Sequence, residues 1–126
     1  MTALDESRIV GQHAFHLKMV EDICVAVRNG NEKAQTLKML NIFIKTISIH
    51  FENEEQVMSR KGYRFQNSHR EDHKRLLGVF ESALKFFCAC ELEFSGNIGE
   101  QLLAIIEKHA EAYDNPMMEY LDRIAS

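Results

Sequence analysis

The amino-acid sequence predicts an all-α fold, an antiparallel up-down-up-down four-helix bundle, and three observations carry that expectation. Proline occurs once in 126 residues, at Pro116. Apolar residues recur in steps of three and four over long segments, the period of a helix buried along one face. The breaks between those segments are short glycine and asparagine clusters, and short connections make consecutive helices antiparallel neighbours. With 45% hydrophobic residues the chain can bury a core as a single domain over residues 1–126, without help from disulfides.

The first helix is expected from Ser7 to Arg28, with Ile9, His13, Leu17, Val20, Cys24 and Val27 on one stripe and Asn29-Gly30 as its stop. The second starts near Asn31, carries Leu40, Phe43, Ile47, His50, Glu54 and Val57, and ends before Gly62. The third begins near Ser68, where Ser68 and Glu71 read as a capping box, and presents His69, His73, Leu76, Phe80, Leu84 and Phe87. Ser95-Gly96-Asn97 breaks the pattern. The fourth opens at Asn97 with Glu100 three residues on, and shows Leu102, Ile106, His109 and Tyr113, then, after a break, Met117 and Leu121. Pro116 is expected to kink or end it locally.

The formal charge of −4 comes from acids and bases interspersed along the chain, with no basic stripe, so nucleic acid is not an expected partner. Apolar runs such as Leu40 to Ile49 are interrupted by Asn41, Lys45, Thr46 and Ser48, and none approaches the roughly 20 residues that span a bilayer. The opening MTALDESR lacks signal-peptide character. Cys24, Cys88 and Cys90 make an odd number, without the spacing of redox or zinc motifs. They read as small apolar thiols in a reducing, cytoplasmic setting.

What the helical pattern does not explain is its histidines, all six of which fall on or beside buried stripes. Buried imidazoles and carboxylates must be hydrogen-bonded, ion-paired or bound to metal. His50 and Glu54 share one face a turn apart on the second helix, and His69 and His73 do the same on the third. His109 and Asp114 are five residues apart, about 140° around an α-helix, so the acid flanks the stripe and can lean in. His13 is the contribution of the first helix. Five imidazoles and two carboxylates exceed one tetrahedral zinc site, whereas two borderline metal ions sharing bridging acids account for them. The Glu-x-x-His pairs of ferritin-like di-iron proteins are absent from the sequence. A plain structural bundle whose histidines bind adventitious zinc, or nothing, is the alternative to a functional centre.

The segment His50-Phe51-Glu52-Asn53-Glu54-Glu55-Gln56-Val57-Met58, followed by Gly62-Tyr63, His69, His73 and the His109 to Asp114 spacing, resembles the hemerythrin family, the bacteriohemerythrins in particular. Gln12-His13 is similar to the family's opening Q-H, and Val20, Ile23, Ala26 and Gly30 fall where its apolar positions and helix-ending glycine stand. The resemblance runs over essentially the whole chain. It implies a cofactor of two iron ions cycling between ferrous and ferric, joined by an oxo or hydroxo bridge. By position, His69, His73 and His109 would hold one iron, His13 and His50 the other, with Glu54 and Asp114 bridging. One iron would keep an open position for dioxygen or a small anion such as azide.

Departures from the family pattern sharpen the expectation. The family usually has an apolar residue one turn after its first histidine, and here it is His16, which leaves open whether His13 or His16 is the ligand on that helix. His16 either points to the bundle edge or faces in, as a hydrogen-bond donor or substitute ligand. Ile105 stands where the family commonly has a tryptophan and Ala110 where it has a bulky aliphatic, which implies a wider pocket. Pro116, close behind Asp114, would shift that carboxylate and make iron occupancy lower or uneven.

A wider, wetter pocket suits a dioxygen- or redox-sensing input module over a free-standing carrier or storage protein, and an enzyme acting on peroxide or nitric oxide is the third reading. Non-enzymatic ligand binding is the expectation. In the resembled family such domains are joined to signalling outputs, including diguanylate cyclases and chemotaxis receptors, so a fused or separate output partner is implied by resemblance alone.

Overall fold

A computed structural model of the chain describes residues 15–26, 29, 33–89 and 98–125. Helix α1 covers 15–26 of the described residues, α2 is Lys33–Arg60, α3 is Gln66–Ala89, α4 is Ile98–His109 and α5 is Asn115–Ala125. A π-helical turn, Ala110–Asp114, joins α4 to α5 without a break, so four rods form an all-α four-helix bundle with no strand among the described residues. None of the described helices is long and apolar enough to cross a membrane.

The pairings run antiparallel, as expected. Phe43 meets Phe80, Phe51 stacks on His73 and Glu54 faces His69, so partners on α3 descend as positions on α2 rise. Likewise His73 faces His109 while His69 faces Asp114. Two apolar clusters result. The larger holds Val20, Ile23, Cys24, Leu40, Phe43, Ile47, Leu76, Phe80 and Leu102. The smaller holds Val57, Met58, Tyr63, Met117 and Leu121. The buried histidines and acids lie along α2 between the two, at His50 and Glu54, so apolar side chains close the polar layer at both ends.

Helix ends follow local chemistry. Gly62 adopts φ +64°, and the Tyr63 N–H reaches the Met58 carbonyl at 2.9 Å while the Gly62 N–H reaches Ser59 at 3.3 Å. This is the Schellman closure, with Tyr63 and Met58 supplying its apolar contact. Helix α3 starts at Gln66, two residues before the expected Ser68. The His69 N–H already bonds the Phe65 carbonyl at 3.2 Å, so Ser68 lies inside the first turn and forms no capping box. Asn29 closes α1 through a 2.9 Å bond to the Val25 carbonyl. The expected first-helix residues 7–14, Val27, Arg28 and Gly30, the second helix's start at Asn31, the side chain of Phe87 and the break at 95–97 lie outside what is described, as do the thiols of Cys88 and Cys90.

The π-helical turn positions the site. Pro116 has no N–H to give and its ring crowds the carbonyl one turn back, so a regular α-helix cannot pass through it unchanged. The turn ahead of it widens instead, and the Asn115 N–H reaches back five residues to the Ala110 carbonyl. A widened turn absorbs one residue. Asp114 thereby moves from about 140° off the His109 face to roughly 40°, and it is buried at 6% exposure. The same insertion carries Met117 and Leu121, both buried, back into phase with His109.

Candidate metal centre

Three rods supply the centre. One donor atom from each of Glu54, His69, His73, His109 and Asp114 lies within 4.8 Å of the others, and all five residues are buried. Glu54 divides its oxygens between two sets of imidazoles. Its Oε1 is 3.0 Å from His73 Nε2 and 3.6 Å from His69 Nε2, while Oε2 is 3.3 Å from His50 Nε2. Asp114 Oδ1 closes the other side, 3.0 Å from both His69 Nε2 and His109 Nε2.

The rings are oriented from behind. His73 Nδ1 meets Glu55 Oε2 at 2.8 Å, and His109 Nδ1 meets Asp72 Oδ2 at 2.6 Å. Each acid leads to an arginine, Glu55 to Arg70 at 3.9 Å and Asp72 to Arg75 at 2.8 Å. A neutral ring whose Nδ1–H donates outward must carry its lone pair on Nε2, facing inward. Phe51 stacks on His73 at 3.9 Å with planes 9° apart, and Tyr113 lies over His109 at 5.4 Å. Imidazole rotation is thus limited by both hydrogen bonding and packing.

Burial and charge compete across this layer. Burial disfavours the charged form of His69, but the Asp114 and Glu54 carboxylates outweigh it and raise its pKa to about 9. Burial likewise opposes charge on His109, and Asp114 with Asp72 still raise it. Burial favours a neutral Asp114, yet His109 and His69 hold its pKa below the ordinary value. Asp72 is lowered too, against burial, by Arg75 and His109.

The donor set fits a metal. His73 Nε2 and His109 Nε2 are buried and each comes within 3.0 Å of a carboxylate oxygen, yet neither is aligned as a hydrogen bond. Closeness without alignment is what lone pairs produce when they converge on a shared point. Imidazole with carboxylate suits iron and other borderline ions, and five gathered donors exceed a tetrahedral zinc set.

The sequence-derived residues divide as follows. Glu54, His69, His73, His109 and Asp114 come together. His50 lies beside them through Glu54. His13 falls outside the described residues. His16 does not point to the bundle edge; it is 3% exposed, its ring 4.8 Å from that of His50. Pro116 does not move Asp114 away from the donors, because the widened turn absorbs its effect. A cavity of about 210 Å3 adjoins the centre, with His16, His50, His109, Ala110 and Asp114 in its wall. Ile105 is not in that wall. It packs against the larger apolar cluster, and Ile106, about 100° further round the helix, lines the cavity instead. Sequence reasoning missed Asp72 and the orienting role of Glu55. Their signal was adjacency, since each is an acid next in sequence to an inward-facing residue, His73 and Glu54.

Fold and site together define an all-α metal-binding bundle. The chain is 33% identical over 82 residues to a bacteriohemerythrin of Methylococcus capsulatus, a match covering 65% of this chain and 62% of that protein. The chain is a homologue of that protein, and its resemblance to the hemerythrin family rests on measured similarity as well as on motif order. The matched stretch spans about three-fifths of the relative's length. No family model and no solved structure matches the chain.

Proposed function

We propose that the chain is a non-haem di-iron domain, a single unit over residues 1–126, that binds dioxygen and serves as an oxygen- or redox-sensing input module. The observation that carries the reading is the placement of Glu54 between His50 on one side and His69 and His73 on the other, with Asp114 across from it. A carboxylate presenting one oxygen to each side is suited to join two ions. His69, His73 and His109 would hold one iron, and His50 the other together with His13, the position that the resemblance to the hemerythrin family assigns. Iron held there supplies reversible dioxygen binding with a change between ferrous and ferric states.

The chain's own groups set the conditions for that chemistry. Asp72 and Glu55 keep the Nε2 lone pairs of His109 and His73 inward. Phe51 and the two apolar clusters exclude water from the ends of the layer. Ala110 leaves the cavity wall short, which gives solvent access and favours a responsive site over a storage site. A signalling output, fused or separate, would read the change. The buried Cys24 thiol fits a reducing, cytoplasmic setting.

Anaerobic reconstitution with ferrous iron, followed by iron counting and optical spectra in air and with azide, tests the reading. About two irons per chain are expected, with charge-transfer bands in air that decay within minutes. Fewer irons and no such bands would remove the di-iron assignment, and bands stable for hours would turn the reading toward a carrier. Sustained turnover of peroxide or nitric oxide beyond free-iron controls would turn it toward an enzyme.

A further inference from the structure

The α1 side of the cavity is built with a histidine where the resemblance leads one to expect an apolar residue. His16 is buried and shares the cavity wall with His50, His109, Ala110 and Asp114. Its ring lies 4.8 Å from that of His50, tilted by 52°, and Phe15 packs against it edge-on at 5.8 Å from the outer side. It is not one of the five residues whose donor atoms gather within 4.8 Å of one another. His50 and His109 turn Nε2 toward Glu54 and Asp114, into that gathering. His16 instead lines the same cavity from α1, outside that gathering.

We propose that His16 is a ligand-contacting residue, which donates a ring N–H to the outward atom of a small inorganic ligand held in the cavity. It thereby selects ligands that carry an acceptor at that end. The proposal rests on the metal-centre reading above. A neutral imidazole always carries one N–H donor. Leu17, Ile47, Phe51, Leu76 and Ile106 make most of the remaining wall apolar, with Asn115 its other polar residue, and a hydrogen bond in such surroundings is stronger than one in water.

Azide is the probe, with iron-loaded wild type compared with His16→Leu and His16→Gln. Iron per chain, helical melting by circular dichroism and the azide dissociation constant are measured for each. His16→Leu is expected to keep its iron and its fold but bind azide about fivefold more weakly, the loss of one hydrogen bond. His16→Gln, which retains an N–H, should recover most of that loss. If His16→Leu loses one iron, His16 is a metal ligand and the proposal is overturned. Azide affinity indifferent to residue 16 in iron-loaded protein overturns it as well, while leaving the centre intact. A wild type that takes up no iron overturns the centre itself, and this role with it.

Discussion

The Nδ1 of His109 lies 2.6 Å from Oδ2 of Asp72, whose other oxygen accepts from Arg75 Nε at 2.8 Å. An imidazole held in this way presents a fixed Nε2 and is a more basic donor. Asp72→Asn keeps the shape and a hydrogen-bond acceptor but removes the charge. Metal affinity, measured by competition with a chelator, should fall about 10- to 100-fold, the usual effect of losing such an orienting acid. Helical content should be unchanged, since Asp72 sits mid-helix and its arginine partner is exposed. Unaltered affinity would mean that packing by Tyr113 alone orients the ring.

Ala110 sits in the cavity wall beside His109 and Asp114. Ala110→Ile adds three carbons there, narrowing solvent access without introducing a polar group. The air-generated optical bands of the iron-loaded chain should then decay severalfold more slowly than in the wild type, as solvent is excluded from the centre. Overpacking can cost about 1–3 kcal/mol, so a urea midpoint measured alongside separates a changed pocket from a loosened fold. Equal decay in a stably folded variant would count against the short wall as the cause.

How far was this legible beforehand? The bundle was, because Leu40, Phe43, Ile47, His50, Glu54 and Val57 keep helical spacing and all are buried. Asp114 was legible as an acid beside the stripe that can lean in, but the π-helical turn over Ala110–Asp114 that brings it inward was not. Spacing rules assume a regular helix, so they placed Asp114 at the margin. Asp72 and Glu55 were hidden for another reason: an acid beside a stripe is usually solvated, and only the approach of a neighbouring helix shows which imidazole it meets. Ile105 was assigned to the pocket by resemblance, whereas helix rotation puts Ile106 there.

The raised and lowered groups of the site set the pH dependence of the chelator-stripped chain. His69 is raised to about 9, against an ordinary 6.5, and His109 is raised too. A raised group contributes its stability in full below the unfolded value and loses it as pH climbs through the folded one. The melting temperature should therefore fall between about pH 6.5 and 9. Asp114 and Asp72, both lowered, contribute in full above the ordinary carboxylate value and lose their share as pH drops below it through their lowered folded values. Metal-loaded protein should be flatter across the alkaline limb, because a bound ion already requires deprotonated rings. Thermal melts of both forms at pH 6.5, 7.5 and 9 check this, and a flat profile for the stripped chain would contradict it.

Gly62 and Gly78 respond to the same substitution with opposite sign. A Cβ at either meets nothing within 4 Å, so neither change is decided by crowding. Gly62 holds φ +64° in the closure of α2, where an L side chain costs about 1–2 kcal/mol. Gly62→Ala should lower stability by roughly 1 kcal/mol, and Gly62→Asn by less, since asparagine tolerates that backbone. Gly78 lies exposed inside α3, where glycine loses more freedom on folding than alanine would. Gly78→Ala should therefore raise stability by about 0.5–1 kcal/mol. Urea unfolding of the three variants tests the pair at once: if both alanines shift the midpoint the same way, then backbone conformation is not what distinguishes the two sites.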